Sequence, residues 1–154
     1  MKTIASFALL AAMFVAGTAF AADPVIGTWK LNVEKSKFSA GHELKAATRT
    51  YSEADGVYTL EQKMTGADGK ETSTTAQYSN GKDVKQQGQN PALDTTHATK
   101  VNANTWNFQL KKDGKVVGRV HRVVSADGKT LTVHNTGTQL SGANVDETLV
   151  YDKQ

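Results

Sequence analysis

The chain is 154 residues long, carries a formal net charge of +3 and contains no cysteine. Without cysteine there are no disulfides and no thiol chemistry. Lys and Arg are scattered among Asp and Glu rather than gathered on one face, so the footprint of a nucleic-acid binder is missing.

Residues 1–21 read as a cleavable secretory signal peptide. Lys2 is the only charge before Asp23, the run from Ile4 to Phe20 is apolar or small, and Ala19-Phe20-Ala21 is a small-x-small cleavage signature. That run lies at the lower edge of a membrane span and has no basic stop-transfer flank. Cleavage after Ala21 leaves residues 22–154 as one domain. The mature protein is expected in the bacterial periplasm or the medium, as a monomer without membrane insertion.

The first expected strand covers residues 25–31. One helical turn follows over 33–38, capped by Asn32. Strands over 47–54 and 57–65 form a hairpin across Asp55-Gly56. A strand over 71–79 follows Asp68-Gly69, and a short one over 83–87 follows Asn80-Gly81. Strands over 95–101 and 105–111 join across Asn102 to Asn104. A hairpin over 115–125 and 130–138 turns at Asp127-Gly128, and a strand over 147–151 ends the chain. Asp-Gly and Asn-Gly favour hairpins because both central positions of a type I′ turn need positive φ. Short Val-, Thr- and Tyr-rich runs between regular turn signals predict an all-β fold. The expected form is an antiparallel up-and-down barrel of about 8–10 strands, its first strand paired with its last so that no edge remains.

Two hairpins can be read for facing. A three-residue loop at Lys112-Asp113-Gly114 sets Leu110 opposite Val116, Phe108 opposite Gly118 and Trp106 opposite Val120. A two-residue turn at Asp127-Gly128 sets Val124 opposite Leu131, Arg122 opposite Val133 and His121 opposite His134. Trp106, Phe108, Val120, Arg122 and Val124 then face inward and the two histidines outward. A slip of one residue reverses that assignment.

Gly27-Thr28-Trp29 resembles the Gly-x-Trp signature that opens lipocalins and their calycin relatives. The resemblance implies that Trp29 closes one end of the barrel against an arginine from a late strand. Arg119 and Arg122 both stand on such a strand, and spacing alone does not choose between them. The run Gly27 to Asn32, then Lys35-Ser36-Lys37-Phe38, with the late hairpin Val123 to Thr132, is similar to a group of uncharacterised bacterial exported proteins with a lipocalin-like domain. Trp29 to Phe38, followed by His42, also resembles exported barrels that bind polyisoprenoid lipids, a match that ends with the first strand.

Arg122 is the first candidate site residue. Inward among Val120, Val124, Leu131 and Val133, it is a charge that must be paired or wet. The resemblance to fatty-acid-binding relatives implies that it pairs with a ligand carboxylate, which suits the guanidinium fork. The alternatives are that Arg122 stacks on Trp29 or Trp106 as a barrel plug or simply faces solvent; Trp29 and Arg119 are the expected barrel closure. Tyr58, Trp106, Phe108 and Val120 are the expected cavity wall.

His121 and His134 supply two ligands where zinc wants three or four, so no metal and no cofactor is expected. No nucleophile elbow, His-Glu-x-x-His or triad spacing points to catalysis. Three functions remain open. One is an exported carrier of a small lipophilic or amphipathic molecule. Another is a ligand-free structural or stress-related domain. The third is a protein-binding module such as a periplasmic protease inhibitor.

Overall fold

Alternation of period two and closely spaced turns build the chain into ten strands. The structure is a computed structural model that describes residues 23–86, 92–138 and 144–154. The expected signal segment, residues 1–21, lies outside the described residues, as does Gln87 at the end of the expected fifth strand.

The strands are β1 (Gly27–Leu31), β2 (Leu44–Ala54), β3 (Val57–Gly66), β4 (Glu71–Tyr78), β5 (Lys82–Lys85), β6 (Thr95–Asn102), β7 (Thr105–Lys112), β8 (Lys115–Val124), β9 (Thr130–Thr138) and β10 (Asn144–Lys153). They form one antiparallel sheet in the order β4-β3-β2-β1-β10-β9-β8-β7-β6-β5. Sequence neighbours pair except β4 with β5, and β1 pairs with β10, with Trp29 opposite Lys153 and Leu31 opposite Tyr151. The first-to-last pairing is as expected.

Closure is nearly but not fully achieved. β4 and β5 are the two ends of the sheet, so two edges remain where none was expected. One side chain spans this seam. The Gln77 amide donates to Gln86 Oε1 at 3.2 Å, and Gln86 Nε2 donates to the Gln77 carbonyl at 2.9 Å. The amide of Gln86 thus imitates the backbone of a missing strand, which satisfies edge groups that otherwise invite a foreign strand.

The turns explain the register. Asp55-Gly56 and Asp113-Gly114 have positive φ at both residues, as a two-residue I′ hairpin requires. The second of these corrects the expected three-residue loop. Lys112 now faces Lys115, and a bulge then takes up one residue, so Leu110 faces Gly118, Phe108 faces Val120 and Trp106 faces Arg122. The shift is two residues, so the inner face is kept. At Gly118 a Cβ would stand 3.2 Å from the Thr136 carbonyl oxygen and 3.4 Å from Leu110 Cδ1, which leaves little room for any other residue.

The β8–β9 register is as expected, with Arg122 opposite Val133 and His121 opposite His134. Its turn differs. Gly128 alone has positive φ, and the Gly128 amide donates to the Ser125 carbonyl, so residues 126–129 form a four-residue connection.

Of the helical turn expected over 33–38, only a turn at residues 33–35 forms, and Asn32 does cap it: its Oδ1 accepts from the Lys35 amide at 3.1 Å. The Lys37 amide and carbonyl are instead taken by Thr148 on β10. Ser36 draws the segment the same way, its Oγ accepting from the Val150 amide at 2.9 Å.

The core is the inner face of this sheet. Trp29, Leu131, Val133, Leu149 and Tyr151 form one buried cluster; Tyr78, Ala98, Trp106 and Phe108 form another. Tyr58 and Val120 pack against both and join them. Truncating a buried Trp such as Trp29 would cost about 3–5 kcal/mol.

Candidate ligand-binding site

The inner face contains charge. Alternation on β2 turns Ala47, Arg49 and Tyr51 inward together, on β8 it turns Arg122 inward, and on β10 it turns Glu147 inward with Leu149 and Tyr151. Arg49, Arg122 and Glu147 are all buried.

Arg122 is 2% exposed. Its Nη1 donates to the Tyr78 hydroxyl at 2.7 Å. Its guanidinium carbon lies 5.0 Å from the Tyr51 ring centre, 5.1 Å from Phe108, 5.3 Å from Tyr78 and 5.5 Å from Trp106. Such contacts each stabilise a desolvated cation by about 2 kcal/mol or more. They do not satisfy its N–H groups: Nε and Nη2 are buried without a hydrogen-bond partner among the described residues. Burial pushes the Tyr78 hydroxyl above its ordinary pKa, against the pull of Arg122, so this phenol stays neutral.

Arg49 repeats the pattern. Its guanidinium lies 4.9 Å from the Tyr151 ring centre, and its Nε is also buried without a partner among the described residues. Burial opposes its charge, but the Tyr151 and Tyr51 phenols and the Glu147 carboxylate outweigh that and hold it protonated. Glu147 is fixed by two neighbours: Asn135 Nδ2 donates to it at 2.9 Å, and His42 Nδ1 stands 3.4 Å away.

Two cavities meet at these residues. A central chamber of about 120 Å³ is lined by Arg49, Tyr51, Tyr78, Phe108, Val120 and Arg122, among others. A cavity of about 510 Å³ opens at one end, where Leu44, Met64 and Leu149 supply apolar wall and His42 and Glu147 supply polar groups. Arg49 and Asn135 line both. The larger volume falls in the range of small-molecule sites. The smaller holds only a compact group.

The opposite end is shut. Asp23 accepts from Lys100 Nζ at 2.8 Å, from the Tyr58 hydroxyl at 3.1 Å and from the Val25 amide at 3.1 Å. Burial resists ionisation of Asp23, but these donors together hold its pKa below the ordinary value. Burial and the Asp23 carboxylate push Tyr58 up to about 12.

The expected site residues do not all meet in one place. Arg122, Phe108 and Val120 line the central chamber. Trp106 stands against it, its ring beside Arg122 and its Nε1 buried without a partner among the described residues. Tyr58 stacks on Tyr78 at 5.1 Å but spends its hydroxyl on the closing clasp. Trp29 is wholly buried, with Nε1 donating to the Val25 carbonyl at 2.7 Å. Its cation is Lys153, 5.0 Å from the ring centre, and not Arg119. Arg119 is exposed on the outer face, opposite Gln109 and Thr136, because β8 alternation that buries Arg122 must expose a residue three positions earlier. His121 and His134 face outward as neighbours, yet each turns to its own partner, Asn107 at 2.7 Å and Asp146 at 2.8 Å.

Sequence reading missed Arg49 and Glu147. The signal for Arg49 was present: Ala47, Arg49 and Tyr51 share one face of a strand in which Tyr51 had to be inside.

No family model matches the sequence, and no curated protein does. Solved structures do match. The fluorescent protein UnaG is 16% identical, with a TM-score of 0.59 over 84% of this chain and 96% of its own. A zebrafish ileal bile acid-binding protein complexed with cholic acid is 9% identical, with a TM-score of 0.57 over 85% and 99%. A Schistosoma mansoni fatty acid binding protein in complex with arachidonic acid is 13% identical, with a TM-score of 0.57 over 85% and 96%. At these identities the likeness is one of fold: this is a calycin-like barrel of ten strands.

Proposed function

We propose that this protein binds a small acidic amphiphile inside its barrel, as a carrier or sensor and not as a catalyst. The carrying observation is the pair of buried guanidiniums, Arg49 and Arg122, which line adjoining cavities and each keep an unengaged N–H group among the described residues. The anionic head sits in the central chamber against these two cations, and the apolar tail runs past Leu149 and Met64 toward the open end. Charge-assisted hydrogen bonds of this kind are the strong ones, and the planar fork suits a carboxylate. Barrels of the same fold hold cholic acid and arachidonic acid, which supports a lipophilic occupant. The leader-like segment 1–21 supports export to a bacterial periplasm or the medium, where the protein works as a monomer.

One observation favours a second reading. Rings of four residues surround Arg122, which suits an arginine that plugs a filled, ligand-free barrel. Native mass spectrometry of the gently purified protein, followed by solvent extraction, separates the two. A reproducible extra mass recovered as an acidic lipophile supports the carrier. A bare polypeptide mass, persisting after incubation with a lipid extract, leaves the plug.

A further inference from the structure

The buried charged residues of the barrel are unequal in sign. Among the described residues they are Arg49, Arg122 and Glu147, which leave a net charge of +1. Asp23, at the shut end, is already matched by Lys100. Glu147 lines the 510 Å³ cavity together with Arg49. Both of its oxygens are directed elsewhere: Oε1 accepts from Asn135, and Oε2 faces His42. No ion pair joins it to Arg49 among the described residues, yet its charge acts on that guanidinium. It therefore offsets one positive charge without occupying the guanidinium's hydrogen-bonding edge.

We infer that Glu147 is a specificity-determining residue that restricts the barrel to ligands bearing a single negative charge. This rests on the proposed binding of an acidic amphiphile and adds the charge class. With Glu147 ionised, a monoanion neutralises the interior. A dianion leaves an unmatched negative charge in a poorly solvated space, and burying such a charge is costly. The exposed acids Glu43 and Asp68 at the rim repel in the same sense, but water and salt screen them far more than Glu147. Neither approaches the chamber as Glu147 does through Asn135, which lines both cavities.

The test uses two amphiphiles with the same tail and a tetrahedral head. Decyl sulfate carries one charge, whereas decyl phosphate carries nearly two at about pH 8, its second pKa lying near 6. Calorimetric titration of the delipidated protein with each gives a sulfate-to-phosphate affinity ratio. The ratio expected for the wild type is about ten, the effect of one unmatched charge at an effective dielectric constant near 20. Glu147→Asp keeps the charge and keeps the preference. Glu147→Gln keeps the hydrogen bond from Asn135 but loses the preference, binding both amphiphiles within about twofold. An unchanged ratio in Glu147→Gln overturns the inference, as does equal binding of the two by the wild type. Failure of the wild type to bind either amphiphile is a different result: it removes the ligand-binding reading itself.

Discussion

Arg122 on β8 donates to the Tyr78 hydroxyl on β4 at 2.7 Å, across the interior of the barrel. The bond ties the middle of the sheet to one of its free edges. Tyr78 is the last residue of β4, next to the seam that Gln86 spans. The Tyr78→Phe variant removes the acceptor and leaves Arg122 without any hydrogen bond among the described residues. A hydrogen bond to a charged group contributes about 1.5–3 kcal/mol. Chemical denaturation is expected to show a loss of that size. A variant as stable as the wild type would mean that the aromatic rings alone hold Arg122.

Asp23 gives the fold a pH dependence of known sign. Its folded pKa lies below the ordinary value of 3.8, so the unfolded chain takes up its proton first as pH falls. The stability it contributes is present above 3.8 and is lost as pH drops through the lower folded value. Asp23→Asn should therefore lower the melting temperature at neutral pH, and the gap to wild type should close below that range. Melting curves across the acid range check this. A gap that stays constant with pH would show that the clasp to Lys100 and Tyr58 acts through packing rather than charge.

The seam offers a local test. The Gln77 amide has the Gln86 side chain as its acceptor, because it points off the edge of β4. In Gln86→Ala, hydrogen exchange at the Gln77 amide should accelerate strongly. The Val133 amide, deep in the β8–β9–β10 part of the sheet, should keep its protection. Equal protection of Gln77 in both proteins would show that the seam is held by something other than this side chain.

The strand count and the pairing of first with last were legible because Asp-Gly and Asn-Gly mark the turns and β-rich runs lie between them. The inward turn of Arg122 was legible too, since Val124 and Leu131 fixed the face. Other features left no mark. The bulge beside Leu110 moved the β7–β8 register by two residues: Trp106, Phe108, Arg122 and Val124 stayed inside, while Val116, expected opposite Leu110, is exposed instead. On β2, Tyr51 marks the face that Arg49 shares, but the alternating Thr48 and Thr50 blur it, since both faces carry polar residues. Arg49 went unread for that reason, and Glu147 because its neighbours Asp146 and Thr148 are equally polar. The turn expected over 33–38 stops short because Thr148 takes the Lys37 backbone, a partner more than a hundred positions away.

The most direct test of an interior anion site is titration of the delipidated protein and its Arg122→Met variant with decanoate. Methionine fills much of the same space without charge or N–H donors. If Arg122 engages the carboxylate, affinity should fall by about 10–100-fold, the worth of a charge-assisted hydrogen bond, while the variant stays folded. Unchanged decanoate affinity in the folded variant would contradict the site proposed at Arg122 and leave that residue as a plug within its ring of aromatics.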